Sequence, residues 1–421
     1  MYCGRTPPMN NSSITVVGGA YGEVCSYPSR QVYRGSGGRA SAVLSSLGAK
    51  TTLTTAIGPQ LKSKFEKIAE NLSYKLDAIT RSEDIWFRYR HPLGVPTLYP
   101  ALPKKLTWGK HVQADLALVF GMIEGRPQVH AKRVVYDPQD GANALRFDYN
   151  GSTAGELALV VSYSEGKALT AESDLQLMAN KLLAFPSVMA VVIKCGPQGA
   201  LVKTTHEQGW VRAFPTKRVY KIGSGDAFSA AFAFAWLVEG QDALSAGWFA
   251  SRVAAEYVES ALDKFDSAQI AKIQVESQAK AIKFAKAGAR NIPTSQIYLA
   301  GPFFNTAQQW LIDEVREALT DMGFNVFSPS HEIGLGPAEE VAPADLYALE
   351  QSGVVLALLD GLDPGTVYEV GYARAKNIPV IAIAEFVDAN SLTMVIGSGC
   401  EITNDLTTGI YTTCWHLMED V

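Results

Sequence analysis

The sequence is poor in the residues that hold metals and form disulfides. Its 421 residues include five cysteines and six histidines, scattered along the chain. The cysteines form no C-x-x-C pair, and the histidines form no H-E-x-x-H motif or close cluster. Because zinc and redox sites need such spacings, we expect free thiols and no metal ion bound by protein side chains.

Long hydrophobic runs and a secretory signal pattern are also lacking. The longest apolar run, Ala227 to Val238, is shorter than the ~20 residues that a membrane-spanning helix needs. Residues 1–13 lack the charged-then-apolar order of a signal peptide. We therefore expect a cytoplasmic protein without a membrane partner.

An excess of positive charge is absent as well. The formal net charge is −5, and there is no basic run or basic stripe interleaved with aromatic residues. Since nucleic-acid polymers are bound mainly through cations that neutralise their phosphates, no such partner is expected. The hydrophobic fraction of 47% is that of a soluble globular protein, and 421 residues exceed what one core usually holds, which predicts two domains.

Short apolar segments alternate with helical patterns over the first part of the chain. The segment Ile14–Val17 is followed by two glycines, and further apolar segments are followed by turn residues: Leu116–Phe120, Arg133–Tyr136, Ala158–Val161 and Ala190–Lys194. This alternation predicts α/β architecture with a parallel sheet covered on both faces. Isoleucines at helical spacing between Asp266 and Ala289 predict a connecting helix.

Two carboxylates stand six residues apart in the second part of the chain. The apolar run Val354–Leu359 leads to Asp363, a Pro-Gly turn follows, and Glu369 lies in a helical pattern, so the segment reads as strand, turn, helix. We expect Glu369 in the first helical turn, where the helix dipole favours the ionised form that a nucleophile needs. Alternatively, Thr366 and Glu369 form a capping box and Asp363 is an ordinary turn residue.

The wider segment resembles the nucleoside 2-deoxyribosyltransferase family from about Ser295 to Phe386. The resemblance is carried by Ile297–Asn305, Phe327–Pro329, Asp345 and the Asp363–Glu369 motif. It implies a glutamate nucleophile that attacks C1′ of a nucleoside, after which a second base or water takes the sugar. It also implies a homo-oligomer, at least a dimer, and no cofactor.

The same resemblance assigns roles to individual residues. Glu369 corresponds to the nucleophile and Asp363 to the aspartate before the turn. Tyr298 corresponds to the first-strand tyrosine, Asp345 to the sugar-side aspartate and Met394 to a methionine in a late sugar-binding loop. Leu392 stands where transferases have asparagine and related nucleotide hydrolases have serine, so both transfer and hydrolysis stay open.

Charge is distributed unevenly between the two parts. Residues 291–421 hold 18 acidic and 3 basic side chains, a formal charge of −15, whereas residues 1–290 hold 24 acidic and 34 basic ones, or +10. A strongly acidic domain is poorly equipped to attract a phosphorylated substrate, which favours a neutral nucleoside. Alternatively, the acidic excess only makes the surface soluble.

A glycine-rich turn before a helix forms the second chemical motif. Gly223, Ser224, Gly225 and Asp226 precede a run of small residues. Backbone N–H groups there can hold a transferring phosphoryl group, and Asp226 can accept the proton of an attacking hydroxyl. The alternative is a plain helix cap with an acid in the first turn.

This part of the chain resembles the ribokinase-like (PfkB) sugar and nucleoside kinases from about Ile14 to Leu262. The turn before Asp226, the strand and glycine turn Val191–Ala200, and Ser162–Glu165 carry the resemblance. It implies a kinase with ATP and Mg²⁺, with Asp226 as the base, the glycine turn as the phosphate site and Glu165 near the magnesium ion.

Departures from that family pattern lie on the acceptor side. Glu23 stands where a sugar-binding aspartate is usual, Arg39 occupies the place of a substrate-side asparagine, and Tyr220 replaces an aspartate before the turn. Arg39 suits an acceptor with negative charge or several hydroxyls, or else it is a structural ion-pair partner.

Three functions are consistent with these patterns. The first is a bifunctional enzyme that cleaves or exchanges a nucleoside N-glycosidic bond and phosphorylates a nucleoside or pentose. The second is a glycosidase with a non-catalytic, kinase-like domain that senses a ligand. The third is an effector that depletes a nucleotide or NAD.

The expected organisation has four parts. A tail (1–13) precedes a ribokinase-like α/β/α sandwich (14–262), and a helical connector (263–293) leads to a smaller Rossmann-like, or flavodoxin-like, parallel-sheet domain (294–421).

Overall fold

The computed structural model describes residues 13–109, 111–284 and 294–419. These residues divide into two units. The first contains the chain up to Thr216 and from Tyr220 to the end of its last helix; the second contains Lys217–Val219 and the residues from 294 onward. Most of the predicted tail and the last part of the predicted connector, residues 285–293, lie outside the described residues.

The first unit contains a nine-stranded and a four-stranded sheet. Its strands are β1 (Ser13–Val17), β2 (Gly22–Cys25), β3 (Arg30–Tyr33), β4 (Lys50–Ile57), β5 (Lys75–Thr80), β6 (Trp86–Tyr89), β7 (Thr97–Tyr99), β8 (Val112–Phe120), β9 (Val129–Asp137), β10 (Thr153–Ser162), β11 (Val188–Lys194), β12 (Ala200–Thr204) and β13 (Gln208–Val211). The large sheet has the order β13-β12-β11-β10-β9-β8-β1-β4-β5, and the small sheet has the order β3-β2-β6-β7.

Helices cover both faces of the large sheet. They are α1 (Gly35–Ser46), α2 (Pro59–Asn71), α3 (Tyr163–Thr170), α4 (Leu175–Leu183), α5 (Ser224–Ala233), α6 (Ala243–Ser260) and α7 (Ser267–Phe284). Alternate residues of each strand face opposite sides, so Val16 packs with Phe232 and Trp248 in one core, and Val17 packs with Met178 in the other. In the large sheet, the seven strands β5, β4, β1, β8, β9, β10 and β11 pair in parallel, whereas β12 pairs antiparallel with β11 and with β13.

The second unit is smaller and its sheet is entirely parallel. Its strands are β14 (Gln296–Ala300), β15 (Val326–Phe327), β16 (Ser352–Leu358), β17 (Val380–Ile383) and β18 (Glu401–Thr403), and its helices are α8 (Thr306–Asp321), α9 (Pro329–Glu332), α10 (Ala338–Glu350), α11 (Pro364–Ala375), α12 (Thr393–Gly397) and α13 (Leu406–Glu419). The strand order is β15-β14-β16-β17-β18. In such a sheet, ligands bind at the carboxyl edge where the order reverses, which here is the junction of β14 and β16.

The architecture confirms the predicted fold class. Both units are α/β, the first with a large, mostly parallel, helix-covered sheet and the second with a smaller parallel sheet. Each apolar segment predicted as a strand lies at least partly within a strand; for example, Leu116–Phe120 falls within β8 and Ala158–Val161 within β10. Among the described residues, no helix combines the length and the apolar character needed to cross a membrane.

Candidate functional site

Tyr298 and Glu369 are in direct contact in the second unit. Tyr298 lies on β14, is buried, and stacks on Phe327 with ring centroids 5.6 Å apart. Its hydroxyl donates a hydrogen bond of 2.6 Å to Glu369 Oε1 on α11. The packing of the Tyr298 ring therefore fixes the position of its hydroxyl. This hydroxyl in turn holds one oxygen of the Glu369 carboxylate in place.

The position of Glu369 in its helix differs from the prediction. Helix α11 begins at Pro364 with Asp363 as its N-cap, so Glu369 lies in the second turn and not in the first. Asp363 Oδ2 accepts hydrogen bonds from Thr366 N (2.8 Å) and Thr366 Oγ1 (3.0 Å). The cap is thus Asp363 rather than Thr366, so the alternative interpretation, a capping box between Thr366 and Glu369, is wrong.

The helix dipole does not control the ionisation of Glu369. Burial raises its pKa to about 7, the hydrogen bond from Tyr298 opposes this rise, and the charges of Asp345 and Asp363 add to it. We expected the helix terminus to keep Glu369 ionised. With a pKa of about 7, Glu369 is instead close to half protonated at neutral pH.

Asp345 provides a further carboxyl group near Glu369. It lies on α10, and burial raises its pKa to about 6. Its Oδ1 atom is buried and has no hydrogen-bond partner among the described residues. A buried oxygen of this kind is costly unless a ligand or water satisfies it, so Asp345 is suited to contact a substrate.

Met394, predicted to touch the sugar, lies in α12 and is 81% exposed. Leu392, two residues earlier, is buried. In a single copy of the chain, the Met394 thioether therefore faces solvent.

In the first unit, the structure brings Glu23, Arg39 and Asp226 together. Arg39 is 2% exposed, and its Nη1 donates to Asp226 Oδ2 at 2.7 Å while Nη2 contacts Glu23 Oε2. Arg39 Nε donates to the hydroxyl of Tyr257 at 2.9 Å. The predicted acceptor-side residues and the predicted base are thus members of one buried ion-pair network.

Both oxygens of Asp226 are engaged. Oδ1 accepts a hydrogen bond of 2.8 Å from Gln139 Nε2, and Oδ2 is taken by Arg39. Burial raises the pKa of Asp226, Arg39 opposes this rise, and the charges of Asp137 and Glu23 add to it. A raised pKa favours uptake of a proton by Asp226, while its two donors compete with an acceptor hydroxyl for its oxygens.

The glycine turn that precedes Asp226 is shaped by Arg39. Gly223 has φ of 81° and caps α5, and a Cβ atom at this position would lie 2.1 Å from Arg39 Nε. Ser224 and Gly225 are the first two residues of α5. The turn therefore places the N-terminus of a helix, whose first N–H groups have no partner within the helix, beside a buried guanidinium.

Two family models match separate parts of the chain. Residues 156–269 match the model of the pfkB family of carbohydrate kinases, and residues 297–402 match that of nucleoside 2-deoxyribosyltransferase.

The chain carries a pfkB-family domain and a nucleoside 2-deoxyribosyltransferase-family domain. The pfkB match includes Glu165 and Asp226 but not Glu23 or Arg39.

Solved structures with a similar fold are ribokinase-family kinases. Ribokinase from Thermotoga maritima is 18% identical, with 62% of this chain and 99% of that chain covered and a TM-score of 0.48. A nucleoside kinase from Methanocaldococcus jannaschii is 16% identical, with 65% and 100% covered and a TM-score of 0.47. Phosphofructokinase-2 from Escherichia coli is 14% identical, with 63% and 99% covered and a TM-score of 0.46. No curated protein sequence matches this chain.

The side chain of Glu165 in the pfkB-family domain is held by the backbone of Ser162. Ser162 N donates to Glu165 Oε2 at 2.7 Å, and Glu165 N donates to Ser162 Oγ at 3.2 Å, which is a capping box at the start of α3. Burial and the charge of Asp137 raise the pKa of Glu165. The side chain predicted near magnesium is therefore a buried helix cap.

Kinases of this family use ATP and Mg²⁺, but the acids present do not fit a magnesium ion as they stand. Asp137 Oδ2 accepts hydrogen bonds of 2.7 Å from both Lys194 Nζ and Ser229 Oγ. Glu165 is engaged by Ser162, and among the described residues no three His, Cys, Asp or Glu side chains gather as metal ligands. Mg²⁺ needs oxygen ligands in near-octahedral geometry, which these engaged carboxylates do not offer.

Sequence reasoning missed several residues of the pfkB-family site, above all Asp137, Gln139 and Lys194. A signal for two of them was present, because Asp137 and Lys194 are the last residues of β9 and β11. The carboxyl ends of neighbouring parallel strands meet at one edge of the sheet, where ligands bind. Gln139 and Tyr257 gave no such signal, since only the tertiary fold brings them to Asp226 and Arg39.

Proposed function

We propose that the deoxyribosyltransferase-family domain cleaves the N-glycosidic bond of a nucleoside with Glu369 as the nucleophile. The observation that supports this most directly is the 2.6 Å hydrogen bond from Tyr298, which holds Oε1 and leaves Oε2 without a partner among the described residues. Oε2 attacks C1′, the bond from C1′ to the base breaks, and the base leaves with the bonding electrons and takes up a proton.

The second step releases the sugar. A second base or a water molecule attacks C1′ of the glycosyl ester, and the Glu369 carboxylate leaves. Two displacements at one carbon retain its configuration. Asp345, with a pKa of about 6 and a free oxygen, is suited to contact the sugar and exchange protons, while Asp363 positions α11.

Base release from a panel of neutral nucleosides tests this function. The wild-type chain should release free base, and Glu369→Ala should lower the rate by ~10³-fold or more, since the nucleophile is lost. Glu317→Gln, on the exposed face of α8, is the control and should change nothing. Release without an added base indicates hydrolysis, and release only with an acceptor base indicates transfer. Unchanged release in Glu369→Ala would contradict the proposal.

For the pfkB-family domain, we propose phosphorylation of a nucleoside or pentose by ATP. Its support is the glycine turn at the start of α5, with Asp226 in the first turn as the group that accepts the proton of the acceptor hydroxyl. The acceptor oxygen attacks the terminal phosphoryl group, and ADP leaves.

A ligand-sensing role is the second candidate for this domain. It is favoured by the contacts of Arg39 and Gln139 with both oxygens of Asp226, because a base held by two donors is not free. ATP turnover with nucleoside and pentose acceptors separates the two roles. Loss of turnover in Asp226→Asn supports the kinase, and turnover that persists unchanged contradicts it. A wild-type chain that binds nucleotide without turnover supports sensing.

A further inference from the structure

Lys194 pairs with Asp137, a buried carboxylate of the pfkB-family domain. Its Nζ is 2.7 Å from Asp137 Oδ2. Burial lowers the pKa of Lys194, but the charges of Asp137, Glu165 and Asp226 raise it by more than burial lowers it. The Lys194 side chain therefore neutralises Asp137, a carboxylate that could otherwise attract a divalent cation.

The strand order explains why Lys194 reaches this place. Lys194 ends β11, Asp137 ends β9, and β10 runs in parallel between them. The lysine side chain crosses the carboxyl end of β10 to meet Asp137. Ser229 of α5 donates to the same oxygen, so the charge of Asp137 is satisfied without a metal ion.

The Lys194 ammonium group also faces the first turn of α5. A Cβ atom at Gly225 would lie 3.6 Å from Lys194 Nζ. A lysine side chain therefore lies beside the N-terminus of α5, an arrangement that favours a phosphate group.

We propose that Lys194 takes the place of the divalent cation in this domain, so that a phosphate-bearing ligand binds at the first turn of α5 without a metal ion. The inference rests on the phosphate site proposed above at Gly223 to Asp226. An ammonium group can replace the ion here because it supplies positive charge and three N–H donors without requiring free carboxylate ligands.

Calorimetric titration of the full chain tests this inference. The probes are inorganic phosphate, pyrophosphate and ADP, each in excess EDTA and in excess Mg²⁺, and their comparison identifies which phosphate source binds. For the probe that binds, the affinity in EDTA and the affinity in Mg²⁺ should agree within ~3-fold. Binding that is ~10-fold or more tighter with Mg²⁺ would overturn the inference while leaving the kinase proposal intact. No binding of any probe in either buffer would overturn both.

A pair of lysine variants tests the residue itself. Lys194→Met should weaken binding in EDTA by ~10-fold or more, as expected for the loss of a charged hydrogen bond. Mg²⁺ should restore much of this loss, because Asp137 is then free to hold the ion. Lys203→Met, on β12, is the control; its Nζ contacts Gln208 Oε1 at 3.0 Å, and its removal should have no effect. Unchanged binding of Lys194→Met in EDTA overturns the inference. If circular dichroism shows that this variant does not fold, the wild-type comparison decides alone.

Discussion

At the residue scale, the two candidate sites use a buried carboxyl group in different ways. Burial raises the pKa of both Glu369 and Asp226. Tyr298 is a neutral donor that engages one oxygen of Glu369, whereas Arg39 and Gln139 engage both oxygens of Asp226. One oxygen of Glu369 is therefore open to a substrate. Both oxygens of Asp226, in contrast, already accept a hydrogen bond from a side chain.

Tyr298→Phe should change how activity depends on pH. The reactive form of Glu369 is the carboxylate, so kcat/KM should rise with pH around about 7. The hydrogen bond from Tyr298 lowers the pKa of Glu369, and its loss should move this rise to higher pH and reduce the neutral rate by ~10-fold. Tyr347→Phe, at a side chain that is 67% exposed, is the control. A pH profile of base release whose midpoint stays unchanged in Tyr298→Phe would contradict the assigned contact.

Glu369→Gln should stabilise the protein at high pH only. The pKa of Glu369 in the folded protein is about 7, above its ordinary value of 4.5. Glu369 therefore contributes its full stability below pH 4.5, and this contribution is lost as the pH rises through 7. A neutral amide avoids this loss, and the gain should be about 2 kcal/mol near pH ~8 and near zero at pH ~4. Urea denaturation at the two pH values measures it, and an equal gain at both would refute the cause.

At the element scale, the start of α11 shows what sequence reasoning could reach. The order of strand, turn and helix is confirmed by β16 and α11. The capping residue was missed because Asp363 and Thr366 are both good caps and stand three residues apart. Pro364 carried the deciding signal, since proline is favoured at the first position of a helix.

Two substitutions of Asp363 separate its structural role from its charge. Asp363→Ala removes the acceptor for Thr366 N and should cost about 1 kcal/mol of stability. Asp363→Asn keeps an N-cap side chain and should leave stability nearly unchanged. If Asp363 acts only by positioning α11, Asp363→Asn should also keep its rate of base release. Urea denaturation and base release measured together decide, and a loss of rate without a loss of stability would show that the charge is needed.

The turn before α5 offers a second element-scale test. Gly223→Ala places a methyl group against Arg39 in a left-handed conformation, which should cost at least ~2 kcal/mol. Gly240→Ala is the matched control, because Gly240 has φ of 68° but no atom within 4 Å of its Cβ position. It should cost only ~1 kcal/mol from backbone strain. Equal losses of unfolding free energy in the two variants would show that Arg39 does not pack on the turn.

At the scale of the whole molecule, periodicity predicted the architecture, but it could not predict contacts between side chains far apart in the sequence. Alternating apolar segments predicted the α/β class because parallel strands buried on both faces are apolar throughout. The contact of Arg39 with Asp226 joins residues 187 positions apart, and no local pattern encodes it. Glu23 and Arg39 were chosen by resemblance, and their mutual pairing required the structure.

The uneven charge of the chain leads to a prediction about substrate choice. With a formal charge of −15 over residues 291–421, the second domain should disfavour anionic substrates. At low ionic strength, kcat/KM for a neutral nucleoside should exceed that for its 5′-monophosphate by ~10-fold, and the ratio should shrink in high salt because the charges are screened. A ratio that does not depend on salt would show that charge does not set the preference.

An ion pair fixes the small sheet of the first unit to a helix of the large sheet. Glu23 lies on β2 of the small sheet, and its ion pair with Arg39 of α1 ties the sheet to the helix. Swinging the sheet outward separates two opposite charges in a dry environment, which is costly. The pair of Glu23 and Arg39 therefore holds β2 against α1 and opposes their separation.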